Sequence, residues 1–205
     1  MTNLQKFINS LSEPDYSPNR KVHYKLNNYL KTGIDFISSA KVGHKKPPRI
    51  LKAEYYYNRG VAHLRKGQND QAISDFSMAI LLNPKFVMAY NNRGLAYGRD
   101  KGRYDKAISD FNKAIELNPR NVEAYNYRAV AYYFKDQYDK AISDFNKAIE
   151  LYPSYALAYA NRGETCFSKK EYNKAWNDIN KAQALGEQVN PKFLKELREA
   201  LGRER

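Results

Sequence analysis

The chain has 205 residues, with 35 Lys/Arg against 22 Asp/Glu and a formal net charge of +13. Its single Cys excludes an intrachain disulfide scaffold, and one Cys with three His is too few for a Cys-rich zinc module. No apolar run approaches the ~20 residues of a bilayer span, and MTNLQKFINSLSEPD lacks the basic-then-apolar order of a secretory signal; the expectation is an intracellular, cytoplasmic protein.

Residues 1–52 hold ten Lys/Arg and three acids, so the positive excess is concentrated there, notably at Lys41, Lys45, Lys46, Arg49 and Lys52. Such an excess is either a solubilising surface or an attraction to an acidic partner, anionic lipid or nucleic acid. Asn3 to Leu11 reads as a short helix, Val22 to Ala40 as one helix or two around Gly33, and Lys41 to Pro48 as a loop. The segment reads as a basic N-terminal cap or a degenerate repeat.

From Ala53 onward the chain repeats itself. Tyr104 to Leu117 reads YDKAISDFNKAIEL, and Tyr138 to Leu151 is identical at an offset of 34. Gly60, Gly94, Ala129 and Gly163 recur at 34, 35 and 34 residues, as do Pro84, Pro119 and Pro153 at 35 and 34. A period in this range marks a stacked-repeat architecture. The one extra residue falls in the turn Arg99-Asp100-Lys101-Gly102-Arg103.

Each copy spells two helices. Val122, Tyr125, Ala129 and Tyr132 keep helical spacing in the first helix, predicted over Val122 to Phe134. Ala141, Ile142, Phe145, Ala148 and Ile149 form one stripe in the second, Tyr138 to Leu151. Pro153 then restricts the residue before it and stops the helix. The small residues at Gly60, Gly94, Ala129 and Gly163 are expected to face Ala72, Ala107, Ala141 and Ala175, letting the two helices approach closely. The four copies run 53–86, 87–121, 122–155 and 156–189. In residues 190–205, Asn190-Pro191 opens a helix, and its stripe Phe193, Leu194, Leu197 and Leu201 reads as a cap over the last copy.

This pattern resembles the tetratricopeptide repeat family. The resemblance rests on Tyr90, Gly94, Tyr97, Ala107, Phe111, Ala114 and Pro119 in the second copy and on Tyr125, Ala129, Tyr132, Ala141, Phe145, Ala148 and Pro153 in the third. The first copy departs at Arg59 and His63, the fourth at Cys166, Ile179 and Glu187. The resemblance implies an all-α, right-handed superhelical solenoid of antiparallel hairpins whose first helices line a concave face. The 35-residue RNA-reading repeats are a different pattern: the small, Ala and Pro set here belongs to the tetratricopeptide type.

On that face the resemblance places Tyr57, Asn58 and Arg65 from the first copy, and Asn91, Asn92 and Arg99 from the second. The third copy adds Asn126, Tyr127, Tyr133 and Phe134, and the fourth Asn161 and Phe167. Asn58, Asn92 and Asn161 share the sixth repeat position. An Asn amide both donates and accepts, matching a peptide group, so these residues read as a ladder for an extended partner segment, with the aromatics as anchors. Arg59, Arg93, Arg128 and Arg162 recur in step with Asp75, Asp110, Asp144 and Asp178, which reads as a structural ladder of ion pairs. The family's two-carboxylate clamp is matched here only by Asn92; Tyr57, Val61, Glu123 and Tyr127 stand at its other positions.

No GxxxxGK[ST], GxGxxG or HExxH occurs, so no catalytic residue, cofactor or metal site is expected. The expected function is a non-enzymatic scaffold that binds a protein or peptide. The alternatives are a self-assembling scaffold, or a basic-surface binder of nucleic acid or anionic membrane.

Overall fold

A computed structural model describes residues 48–100 and 102–202 of the chain. The helices expected within Asn3 to Leu11 and Val22 to Ala40, and all but the end of the loop from Lys41, lie outside the described residues. Among the described residues nine helices and no strands occur. They are α1 (Arg49–Arg65), α2 (Asn69–Leu82), α3 (Val87–Gly98), α4 (Tyr104–Leu117), α5 (Val122–Tyr133), α6 (Tyr138–Leu151), α7 (Ala156–Ser168), α8 (Tyr172–Ala184) and α9 (Pro191–Ala200). Each odd-numbered helix from α1 to α7 pairs with the next as an antiparallel hairpin, and each hairpin packs on the following one. The result is an all-α solenoid.

The helix ends follow local chemistry. α2 and α4 stop at Asn83 and Asn118, whose extended backbones (φ −135° and −142°) precede Pro84 and Pro119; Tyr152 before Pro153 does the same for α6. α1 starts at Arg49, four residues before the first sequence copy, and Arg49 Nη2 donates to the Leu81 carbonyl at 2.7 Å. α5 ends at Tyr133, so Phe134 is its C-cap rather than its last residue.

At Gly60 and Gly94 the nearest contact is an aromatic ring rather than the expected alanine, while Gly163 meets Ile179 and also the backbone oxygen of Ala175, its expected partner. A Cβ added at Gly60 would lie 2.7 Å from a Phe76 ring carbon, and one at Gly94 2.7 Å from Phe111. At Gly163 it would meet Ile179 at 3.0 Å. The glycines therefore leave a notch for the apolar side chain four residues beyond the recurring alanine. Phe76, Phe111 and Ile179 fill these notches, Phe145 packs with Ala129 in the third hairpin, and all four form the core, fully buried or nearly so.

The ion-pair ladder is present in all four hairpins. Each Arg donates Nε and Nη2 to both oxygens of its Asp. The distances are 2.8 and 2.5 Å for Arg59–Asp75 and 2.8 and 2.7 Å for Arg93–Asp110. They are 2.7 and 2.7 Å for Arg128–Asp144, and 2.8 and 2.6 Å for Arg162–Asp178. A tyrosine one turn earlier covers each guanidinium: Tyr56, Tyr90, Tyr125 and Tyr159 lie 5.2–5.7 Å from it. The third nitrogen reaches back to the preceding hairpin: Arg93 Nη1 to Ser77 Oγ at 3.0 Å, Arg128 Nη1 to Asn112 Oδ1 at 2.6 Å and Arg162 Nη1 to Asn146 Oδ1 at 2.5 Å. One side chain thus ties both the hairpin and the joint.

The turn after α7 carries a local conflict. Lys170 has φ 62°, the region that disfavours a side chain, whereas Gly67 holds the equivalent place after α1 with φ 72°. Lys170→Gly is expected to raise stability by about 1 kcal/mol, because a left-handed L-residue costs ~1–2 kcal/mol. Urea unfolding reads this directly; a midpoint that stays or falls contradicts it.

Candidate peptide-binding groove

The first helices α1, α3, α5 and α7 lie side by side and present the predicted face. The structure sorts the twelve candidate residues into three groups by role, and some residues belong to more than one.

The first group is spent on the joints. Asn92 Nδ2 donates to Tyr57 Oη at 3.0 Å, and Asn161 Nδ2 donates to Asn126 Oδ1 at 3.3 Å. Asn92, Asn126 and Asn161 are buried, the last two to 0% and 1% exposure. Tyr133 Oη and Ser168 Oγ meet at 3.2 Å in the same manner. In each pair the partners stand 35 residues apart. These amides zip neighbouring hairpins together, which accounts for much of their recurrence. Asn58, at the start of the array, remains partly open.

The second group is aromatic packing. Tyr57 lies 4.8 Å from Phe86 and 5.8 Å from Phe76 between ring centroids. Tyr127 tilts onto Phe111 at 5.8 Å, and Phe134 stacks on Tyr104 at 5.4 Å. Phe167 is drawn under the C-terminal helix: it meets Phe193 edge-on at 5.1 Å and packs with Tyr172. In α9, Leu197 is fully buried beside Phe193, Leu194 and Leu201, against Cys166 and Ile179. Asn190 caps this helix by accepting from Lys192 N at 2.9 Å.

The third group is Asn58, Asn91 and Arg99, partly exposed, and Arg65, exposed; Tyr57 and Tyr127 beside them are half-buried. Met88 beside them is 55% exposed. Arg99 is unlike the ladder arginines. Its Nη1 donates to the Leu64 carbonyl at 2.7 Å, while Nε and Nη2 are sealed from solvent without an acceptor. Burial pulls its pKa below the ordinary arginine value, with no carboxylate opposing that shift. Two further partnerless polar atoms, Asn91 Oδ1 and Asn126 Nδ2, lie on the same row of helices.

No nucleophile stands out in this face. Burial pushes the Cys166 thiol up to about 11, which keeps it protonated and unreactive at neutral pH. Among the described residues no group of three or more His, Cys, Asp or Glu is placed to hold a metal, and no helix is long and apolar enough to cross a membrane.

The sequence treated every inward position of a first helix alike. The missed signal was the offset of one repeat plus one residue. Tyr57/Asn92, Asn126/Asn161 and Tyr133/Ser168 are polar pairs at that spacing, and it marks side chains that meet across a joint.

Comparison with known proteins gives the same architecture. A model described as tetratricopeptide repeat matches residues 53–86 and 122–155, and one described as TPR repeat matches 98–136. The chain is similar to tetratricopeptide repeat protein 6 of Homo sapiens, 47% identical over 45 residues, which is 22% of this chain and 9% of that protein. It spans 9% to 55% of the length of the curated relatives it matches. Among solved structures, the first TPR of Spaghetti (RPAP3) bound to the HSP90 peptide SRMEEVD aligns at TM-score 0.56. The identity is 25%, over 58% of this chain and 94% of that one. The pilF protein of Pseudomonas aeruginosa aligns at TM-score 0.67 with 21% identity, over 78% of this chain and 72% of that one, a likeness of fold alone.

Proposed function

Since the chain belongs to the tetratricopeptide repeat family, whose members generally mediate protein–protein interactions, we propose that it is a scaffold whose concave row of helices binds an extended partner segment carrying an acidic side chain. Arg99 carries this reading. It is a half-buried guanidinium with one carbonyl bond and two donors without an acceptor. Turning outward, it gives up that bond for two charge-assisted ones to a carboxylate. Asn58 and Asn91 supply amides for the partner's backbone, and Tyr57, Tyr127 and Met88 supply apolar contact.

Charge sets the direction of the partner across the row. Glu54 and Glu123 stand exposed toward the starts of their helices; at the other ends Arg65 is exposed and Arg99 half-buried. Eleven residues of helix separate the two rims, roughly 16 Å at 1.5 Å per residue. An acid is attracted at the arginine rim and repelled at the other.

Peptides selected from a random display library on the full chain test this. Selected sequences are expected to carry Asp or Glu at a fixed place, and Arg99→Leu is expected to weaken them at least tenfold by calorimetry, with the melting temperature little changed. Undiminished affinity in Arg99→Leu would reject the role. The SRMEEVD peptide seen with RPAP3 is the control and is expected not to bind, because Tyr57, Val61, Glu123 and Tyr127 replace the groups that hold a terminal carboxylate.

A further inference from the structure

The array begins on a face built like one of its internal joints. Inside the array, the residues that meet the preceding hairpin are closed off: Ala89, Ala124 and Ala158 at one position, Ala96, Ala131 and Thr165 at another, all buried. Their counterparts in α1 are Tyr55, half-buried, and Ala62, exposed. The Arg59 side chain is 46% exposed, against 20%, 18% and 22% for Arg93, Arg128 and Arg162. Those three each reach a neutral oxygen of the hairpin before them. Among the described residues Arg59 Nη1 finds only Tyr55 Oη of its own helix, at 3.5 Å. Ile50 and Leu51, 62% and 42% exposed, extend the apolar area.

We propose that residues 1–47 of the same chain cover this face, as the upstream neighbour that α1 is built to receive. The segment joins the array at Pro48, one residue before α1, so it is delivered to the face at the high effective concentration of a short tether. Its sequence carries what an internal neighbour carries. Val22, Leu26, Leu30, Gly33 and Ile37 recur at helical spacing. Asp35-Phe36 repeats the pair found as Asp75-Phe76, Asp110-Phe111 and Asp144-Phe145. Asn27, Asn28, Ser38 and Ser39 offer neutral oxygens of the kind that receive the other three arginines. Head-to-tail stacking of copies is disfavoured, because the outer side of α9 presents Lys192, Lys195, Glu196, Arg198 and Glu199 to solvent and so does not complement an apolar joint.

Thiol labelling of the native full chain decides it. Ala62→Cys places a probe on the face, and Ser143→Cys, on the exposed side of α6, reports the unprotected rate. Cys166, buried, reports by its silence that the array is folded. Ala62→Cys is expected to react at least tenfold more slowly than Ser143→Cys, independently of protein concentration. Adding Leu26→Ser, Leu30→Ser and Ile37→Ser is expected to equalise the two rates. Equal rates at the outset would overturn the proposal, as would protection that survives the triple change. Protection that grows with concentration would overturn it in favour of a second copy.

Discussion

Replacing Arg128 with Ala is expected to lower the unfolding free energy by about 3–5 kcal/mol, the range for removing one partner of a buried ion pair. Arg128 and Asp144 side chains are only 18% and 10% exposed, and the pair is bidentate. Without the guanidinium the carboxylate is left desolvated, and Asn112 Oδ1 loses its donor across the joint. The penalty lies in the stranded charge, so Arg128→Met combined with Asp144→Leu is expected to recover most of it. Urea unfolding of the two single variants and the double gives the answer. A loss below about 1 kcal/mol for Arg128→Ala would class the pair with exposed salt bridges. Arg59→Ala, at the open end of the ladder, is expected to cost less than Arg128→Ala.

Phe111→Ala is the second large change, at about 3–5 kcal/mol. Phe111 is 2% exposed and lies over Gly94, where an added Cβ would be 2.7 Å from the ring. Removing the ring leaves a cavity with no side chain on the opposite wall. Phe145→Ala is expected to cost less, because Ala129 already places a methyl group opposite that ring. The same geometry predicts a change of sign: Gly94→Ala crowds the wild-type ring but returns stability when added to Phe111→Ala. Thermal unfolding of the four variants tests this coupling, and additive effects would contradict the notch.

The repeat, the helix ends and the ion-pair ladder were legible because each recurs in register. Pro119 and Pro153 act within two residues of where they stand, and Arg128 with Asp144 is one of four copies of the same pair. The groove was legible only in outline. Spacing puts Asn91 and Asn92 on the inward side of one helix, yet one side chain stays partly open while the other is spent on Tyr57. Which of two adjacent positions meets the next hairpin depends on how far each hairpin turns relative to its neighbour, and no single helix encodes that turn. Arg99 was visible as an inward residue, but its lack of a carboxylate depends on every element around it. The capping helix was legible in its own stripe, but that Phe193 packs on Phe167 depends on how that helix docks, which spacing alone does not fix.

Helices α4 and α6 have the same fourteen residues and make the same internal contacts. Excising 34 residues between any point in one and the matching point in the other therefore rebuilds an intact helix, with no seam and no foreign junction. The product keeps α3 before it and α7 after it, and Asn112 or Asn146 stands ready for the following arginine either way. The number of rungs in this molecule is thus an adjustable quantity, but the new α3–α7 joint forgoes the Asn126–Asn161 and Tyr133–Ser168 bonds that leave with α5, and Asn91 takes the place of Asn126 beside Asn161.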